Sequence, residues 1–310
     1  MSKTALFFPG QASQYVGMGK DLYEHSAAVR QLYELASDLL RVDIADLSFN
    51  GPAEELKRTM YTQPAILLHS LAVVQVIGND LPSFEYAAGH SLGEYGALAV
   101  AGAMTPEDAV RAVVRRATLM EEACQKNPGT MAAVMGLSDE QLEKVCAEAS
   151  ATGVVVPANF NSNSQTVISG SLAGVGKASE LAKAAGAKRA ILLEVGGAFH
   201  SPLMEPAREG LAEFMQTLPL NAPRKPVIAN VTAKPVTTSA EIKQLLVAQV
   251  TAPVRWAQTM AFLKDAGVTR VVEIGPGKVL TGMAKREMQL ESVVNLDTLE
   301  DIRTFASVTV

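Results

Sequence analysis

Short apolar runs of strand length recur along this chain with helix-length segments between them, and that alternation restricts the fold more than any single motif does. Strand patterns are read at "TALFF", "FEYAAGHS", "PVIANVT", "TRVVEIG" and "SVVNL". Helix patterns are read around 19–40 and 64–78, in "LGEYGALAVAGA", from about 106 to 125, near 239–249, near 256–266, and once more before the last strand. Strands separated by helices are joined by crossovers, which predicts an α/β fold with a largely parallel sheet covered on both faces. Between 127 and 196 the order becomes strand, helix, strand, strand, helix, strand, the ferredoxin-like βαββαβ unit. The expected architecture is a core of residues 1–126 and 197–310 with a small subdomain, 127–196, inserted in it.

Composition narrows the partners. Of 310 residues, 48% are hydrophobic and 19% charged, and the net charge is −5, so there is no global basic field for nucleic acid. The Lys/Arg pairs at 57–58, 188–189 and 285–286 are scattered and read as solvated. Cys124 and Cys146 lack His or Cys neighbours at ligand spacing, so no metal site is expected and a reducing compartment fits. "MSKTALFFPG" is not a signal-peptide pattern, and no run approaches the roughly 18 uninterrupted apolar residues of a membrane span. The expectation is a cytoplasmic protein that binds neither nucleic acid nor membrane.

Gly89-His90-Ser91-Leu92-Gly93 matches G-x-S-x-G, a strand-to-helix turn that exposes a serine hydroxyl. A chain this long contains that pattern by chance roughly one time in ten, so the context has to carry it. A strand precedes it and an Ala-rich helix follows, whose N-terminus would aim N–H groups at the serine. The bland alternative is a helix N-cap, which needs no base. Among four histidines, His25 lies on a polar helix and His69 in an apolar one, while His90 adjoins Ser91 and diverges from it. His200, in the Gly-rich loop "VGGAFHSPLM", is favoured as base. No acid announces itself as a third member, so a dyad oriented by a neutral group is expected at least as much as a triad.

The helix "TPEDAVRAVVRRATLMEEA" opens with Thr105 as cap and Pro106 at its first position. At 100° per residue, Arg111 and Arg115 join Asp108 and Glu122 on a polar stripe. Arg116 falls instead among Ala109, Ala112, Val113, Leu119 and Met120. A buried guanidinium needs an anion, either an internal Asp or Glu or a carboxylate carried by the substrate; the remaining alternative is a side chain that snorkels to solvent.

With "FFPGQASQ", "YTQPA", "GHSLGEY", Arg116, "GAFHSPLM", "QVTAPVRW" and "EIGPGKVL" in that order, the chain resembles the malonyl-CoA:acyl carrier protein transacylases and the acyltransferase domains of fatty-acid and polyketide synthases. The resemblance implies an α/β-hydrolase-like core with an inserted ferredoxin-like subdomain. It implies Ser91 as nucleophile, His200 as base oriented by the Gln249 carbonyl, the N–H groups of Gln11 and Leu92 as oxyanion donors, and Arg116 with Gln63 in the malonyl pocket. It further implies malonyl-CoA as substrate, acyl carrier protein as the partner bringing its own phosphopantetheine, and no permanently bound cofactor. "AFH" at 198–200 resembles the signature of malonyl-selective domains, in which Phe199 excludes an α-methyl branch. The sequence departs from the family pattern at Ala12, where glycine is usual, and at Asn163, where proline is expected; thioester-arm contacts are therefore not carried over to Asn159 or Asn161. The rival functions are a trans-acting acyltransferase of a polyketide pathway, a serine hydrolase or thioesterase, and an inert carrier-docking module.

Overall fold

In the first strand alternate side chains enter two different cores. A computed structural model, which describes residues 2–309, places Leu6 and Phe8 in one hydrophobic cluster and Ala5 and Phe7 in another. A strand buried on both faces requires helices on both sides. The strands are β1 (Lys3–Phe8), β2 (Tyr86–Gly89), β3 (Thr130–Met135), β4 (Val155–Ser162), β5 (Gln165–Gly170), β6 (Arg189–Leu192), β7 (Val227–Ile228), β8 (Pro235–Val236), β9 (Val268–Ile274) and β10 (Ser292–Leu296). The main sheet has the order β10-β9-β1-β2-β7-β8 and is parallel except for the β7–β8 pair.

The second sheet, β4-β5-β3-β6, is antiparallel throughout. Ala132 and Val134 on one face pack against Leu142, Val145, Val175 and Ala178 of its two helices, Asp139–Ala149 and Leu172–Ala184. Met131, Ala133 and Val167 on the other face belong to the main core. A backbone seam adds to this contact: Phe160 N–H donates to Val254 O (2.9 Å) and Val254 N–H to Ala158 O (2.8 Å).

Several elements differ from their expected extents. The segment at 19–40 is two helices, Lys20–His25 and Ala27–Leu40, divided where Ser26 caps the second. The helix expected at 64–78 runs Thr59–Ile77, because burial of Tyr61, Thr62 and Gln63 carries it through Pro64, which favours a first turn. With the short turn that follows it, the stretch Thr59–Asp80 is long and apolar enough to cross a membrane, and 78% of its most apolar 18 residues are buried in the fold. Helices at Glu205–Thr217 and Leu299–Thr309 were not expected, and "PVIANVT" keeps only two residues in a strand.

Candidate active site

β1 and β2 pair with Phe8 opposite Gly89, so the loops that follow them leave the sheet's carboxyl edge side by side. Close packing dictates both glycines of the serine turn. A Cβ on Gly89 would stand 1.9 Å from Gly93 C, and one on Gly93 would stand 2.1 Å from Phe8 O. Ser91 between them has φ +51°, a left-handed conformation that a non-glycine residue holds only under constraint. Asn230, just past β7, supplies that constraint: its Oδ1 accepts from Ser91 N–H (2.7 Å) and its Nδ2 donates to Gly89 O (2.7 Å).

Ser91 Oγ lies 2.9 Å from His200 Nε2, and His200 Nδ1 lies 2.8 Å from Gln249 O. A carbonyl oxygen only accepts, so Nδ1 carries the proton and Nε2 is free to accept from the serine hydroxyl. Burial, and then the positive charge of Arg116, hold the imidazole down to about 3. His200 is thus neutral over the physiological range, the state a general base needs.

Arg116 is 1% exposed in the helix Pro106–Lys126, which Thr105 caps as its sequence suggests. Its Nη1 donates to Gln63 Oε1 (2.5 Å), and its Nη2 to Ser91 Oγ (2.9 Å) and Gln249 Oε1 (3.0 Å). Its Nε has no partner, and among the described residues no carboxylate lies within ion-pair distance. The internal ion pair that sequence alone allowed is not formed. Gln63, which locally reads as a helix-start residue, sits one turn into its helix with its side chain on Arg116.

Ser91, His200, Arg116 and Gln63 line a cavity of about 270 Å³ between the carboxyl edge of the main sheet and the inner face of the small one. Gln11 and Leu92 line it too, and their N–H groups have no acceptor among the described residues. Ala12 keeps φ +80°, so the loop retains the left-handed turn despite lacking glycine. Phe199 flanks His200 at the cavity wall.

His90 turns away from Ser91 toward Asn161, 2.9 Å from its Oδ1. His25 is exposed, and His69 is buried with its Nε2 on Asp297. Asn163 bonds Glu287 at the surface, whereas Asn159 and Asn161 do line the cavity. Sequence reasoning passed over Asn230 and Glu94. An acid at Glu94, in a helix's first turn, reads as ordinary dipole complementation, and Asn230 carries no local signal.

Residues 6–303 match the family model described as acyl transferase domain. The chain belongs to that family. A malonyl CoA-acyl carrier protein transacylase of Bacillus subtilis is 45% identical over 304 residues, 97% of this chain and 96% of the relative. Among solved structures, an acyl carrier protein S-malonyltransferase of Vibrio cholerae superposes on this acyltransferase with a TM-score of 0.91 at 42% identity, covering 98% of this chain and 99% of the other. A malonyl-transacylase solved in complex with a type II PKS acyl-carrier protein gives 0.93 at 39%, covering 99% and 100%.

Proposed function

We propose that the chain moves a malonyl group from malonyl-CoA to the phosphopantetheine thiol of an acyl carrier protein, through an ester on Ser91, and so supplies extender units for fatty-acid synthesis. One observation carries this reading: a fully buried guanidinium without a carboxylate partner lies 2.9 Å from the serine hydroxyl. The missing anion is then the far end of the acyl group.

His200 Nε2 takes the Ser91 proton as Oγ attacks the thioester carbon. The oxyanion rests on the Gln11 and Leu92 N–H groups, which aim fixed dipoles at the charge as it forms. The C–S bond breaks, and the CoA sulfur leaves with the proton from His200. The carrier thiol then gives its proton to His200, attacks the ester, and restores the Ser91 hydroxyl. Both half-reactions use one site in turn, so the kinetics are ping-pong. Arg116 holds the malonyl carboxylate throughout with Gln63 beside it, and Phe199 narrows the wall against an α-branch.

Residues 127–196 are read as an inserted subdomain whose sheet closes the cavity, and the reaction needs no permanently bound cofactor. Two buried cysteines, with thiols pushed up to about 12 by burial first, suit a cytoplasmic setting. A hydrolase reading is weaker because His200 Nδ1 meets a carbonyl instead of a carboxylate.

Intact-mass measurement after mixing with malonyl-CoA tests the reading. A malonyl adduct that maps to Ser91, passes to added carrier protein and is absent in Ser91→Ala is the expected result. Free malonate released without carrier, at a rate matching turnover, would favour the hydrolase.

A further inference from the structure

The chain of hydrogen bonds from Ser91 through His200 ends on a neutral carbonyl, yet a carboxylate stands one step behind it. Glu94, in the first turn of the helix Gly93–Val100, is 2% exposed. Its Oε2 accepts from the Gln249 side-chain Nε2 (2.7 Å) and from Asn230 N–H (3.1 Å). The other end of the same amide, Gln249 Oε1, accepts from Arg116 Nη2. The Gln249 side chain therefore lies between an anion and a cation, donor end to the first and acceptor end to the second.

We propose that Glu94 is the buried counter-charge of Arg116, coupled to it through the Gln249 amide, and that this spacing keeps the protein's own carboxylates off the guanidinium, so that a substrate carboxylate can be its direct ion-pair partner. The proposal rests on the reading that the acyl group's carboxylate docks on Arg116. An isolated buried cation is costly, and a direct bidentate partner would occupy the fork that the substrate needs. An amide spacer meets both demands. It compensates the charge at a distance, and it leaves Arg116 Nε without a protein partner. The same Oε2 ties in Asn230, which holds the serine turn, so one carboxylate positions both parts of the site.

Charge balance has a consequence. The empty site holds one cation and, with Glu94 ionised, one anion; acylation brings a second anion into the same dry volume. Glu94 is the group placed to respond, its carboxyl pushed up to about 7 by burial, against the opposing pull of Asn230, Gln249 and Arg116. The groups facing it are Arg116 from the arginine helix, Tyr95 on its own helix, and His200 behind the Gln249 backbone. Tyr95 is pushed far above neutrality, chiefly by burial, and His200 lies far below it, so of these groups Glu94 is the one that titrates near pH 7. When Glu94 starts ionised, acylation breaks the C–S bond, forms the Ser91 ester, sends the serine proton through His200 to the CoA sulfur, and takes one further proton from solvent onto Glu94.

The extent of Ser91 malonylation at a fixed ratio of malonyl-CoA to CoA, measured by intact mass from about pH 6 to about pH 8, tests this. It should fall with rising pH in the wild-type chain by about two- to threefold, the effect over that range of raising a pKa near 7 by about half a unit. It should be flat in Glu94→Gln, whose amide oxygen still accepts from Gln249 and Asn230. A flat wild-type profile, or a slope that survives in Glu94→Gln, overturns the relay. The wild-type arm stands without the variant, so poor folding of Glu94→Gln does not shelter the idea. Absence of any adduct at every pH would instead remove the underlying reading of the site, and the relay with it.

Discussion

Ala12 holds a left-handed φ of +80° at the turn beside Gln11, and a Cβ there costs about 1–2 kcal/mol. Ala12→Gly should therefore raise stability by about 1 kcal/mol, read as a higher denaturant midpoint at unchanged slope. Arg116→Ala removes the only cation proposed to meet the acyl carboxylate. We expect kcat/KM for malonyl-CoA to fall by about 100-fold, the loss of roughly 3 kcal/mol of charge-assisted pairing, with acetyl-CoA used relatively better. Equal use of malonyl-CoA by variant and wild type would sink that role. Arg116 was legible because helical period alone puts it on the apolar face. The parts played by Glu94 and Asn230 were not, since each depends on a partner more than 130 residues away in sequence.

At the scale of elements, local chemistry announced what local chemistry controls. Thr105 and Pro106 mark the start of the arginine helix in the sequence as in the structure. The start at Thr59 was illegible, because tertiary burial overrides the preference of Pro64 for a first turn. The serine turn is governed by contacts between elements: Gly93 rests against the end of β1, with no room for a methyl group. Gly93→Ala should push the helix off the strand, lowering stability by about 3 kcal/mol or more and abolishing the Ser91 adduct. Denaturant unfolding together with intact mass checks both.

Across the whole molecule, the alternation of strands and helices was enough to predict the sheet type and the antiparallel insert, but not how the two sheets meet. Burial of His200 ties the site to the stability of the fold. Its folded pKa, near 3, lies below the ordinary 6.5, so it contributes stability that is present above pH 6.5 and is lost as pH falls toward 3. Between about pH 6 and about pH 4, His200→Gln should lose less stability than the wild type, as followed by thermal unfolding. The seam at Ala158, Phe160 and Val254 bears on engineering. Val254 lies five residues past Gln249, so the backbone that orients His200 is spliced to β4 of the insert. The insert is therefore not a free cassette. A chimaera that exchanges the second sheet and its two helices to change acyl range must reproduce the pairing to Val254, or it will detune the histidine even though Ser91, Arg116, His200 and Gln249 are all retained.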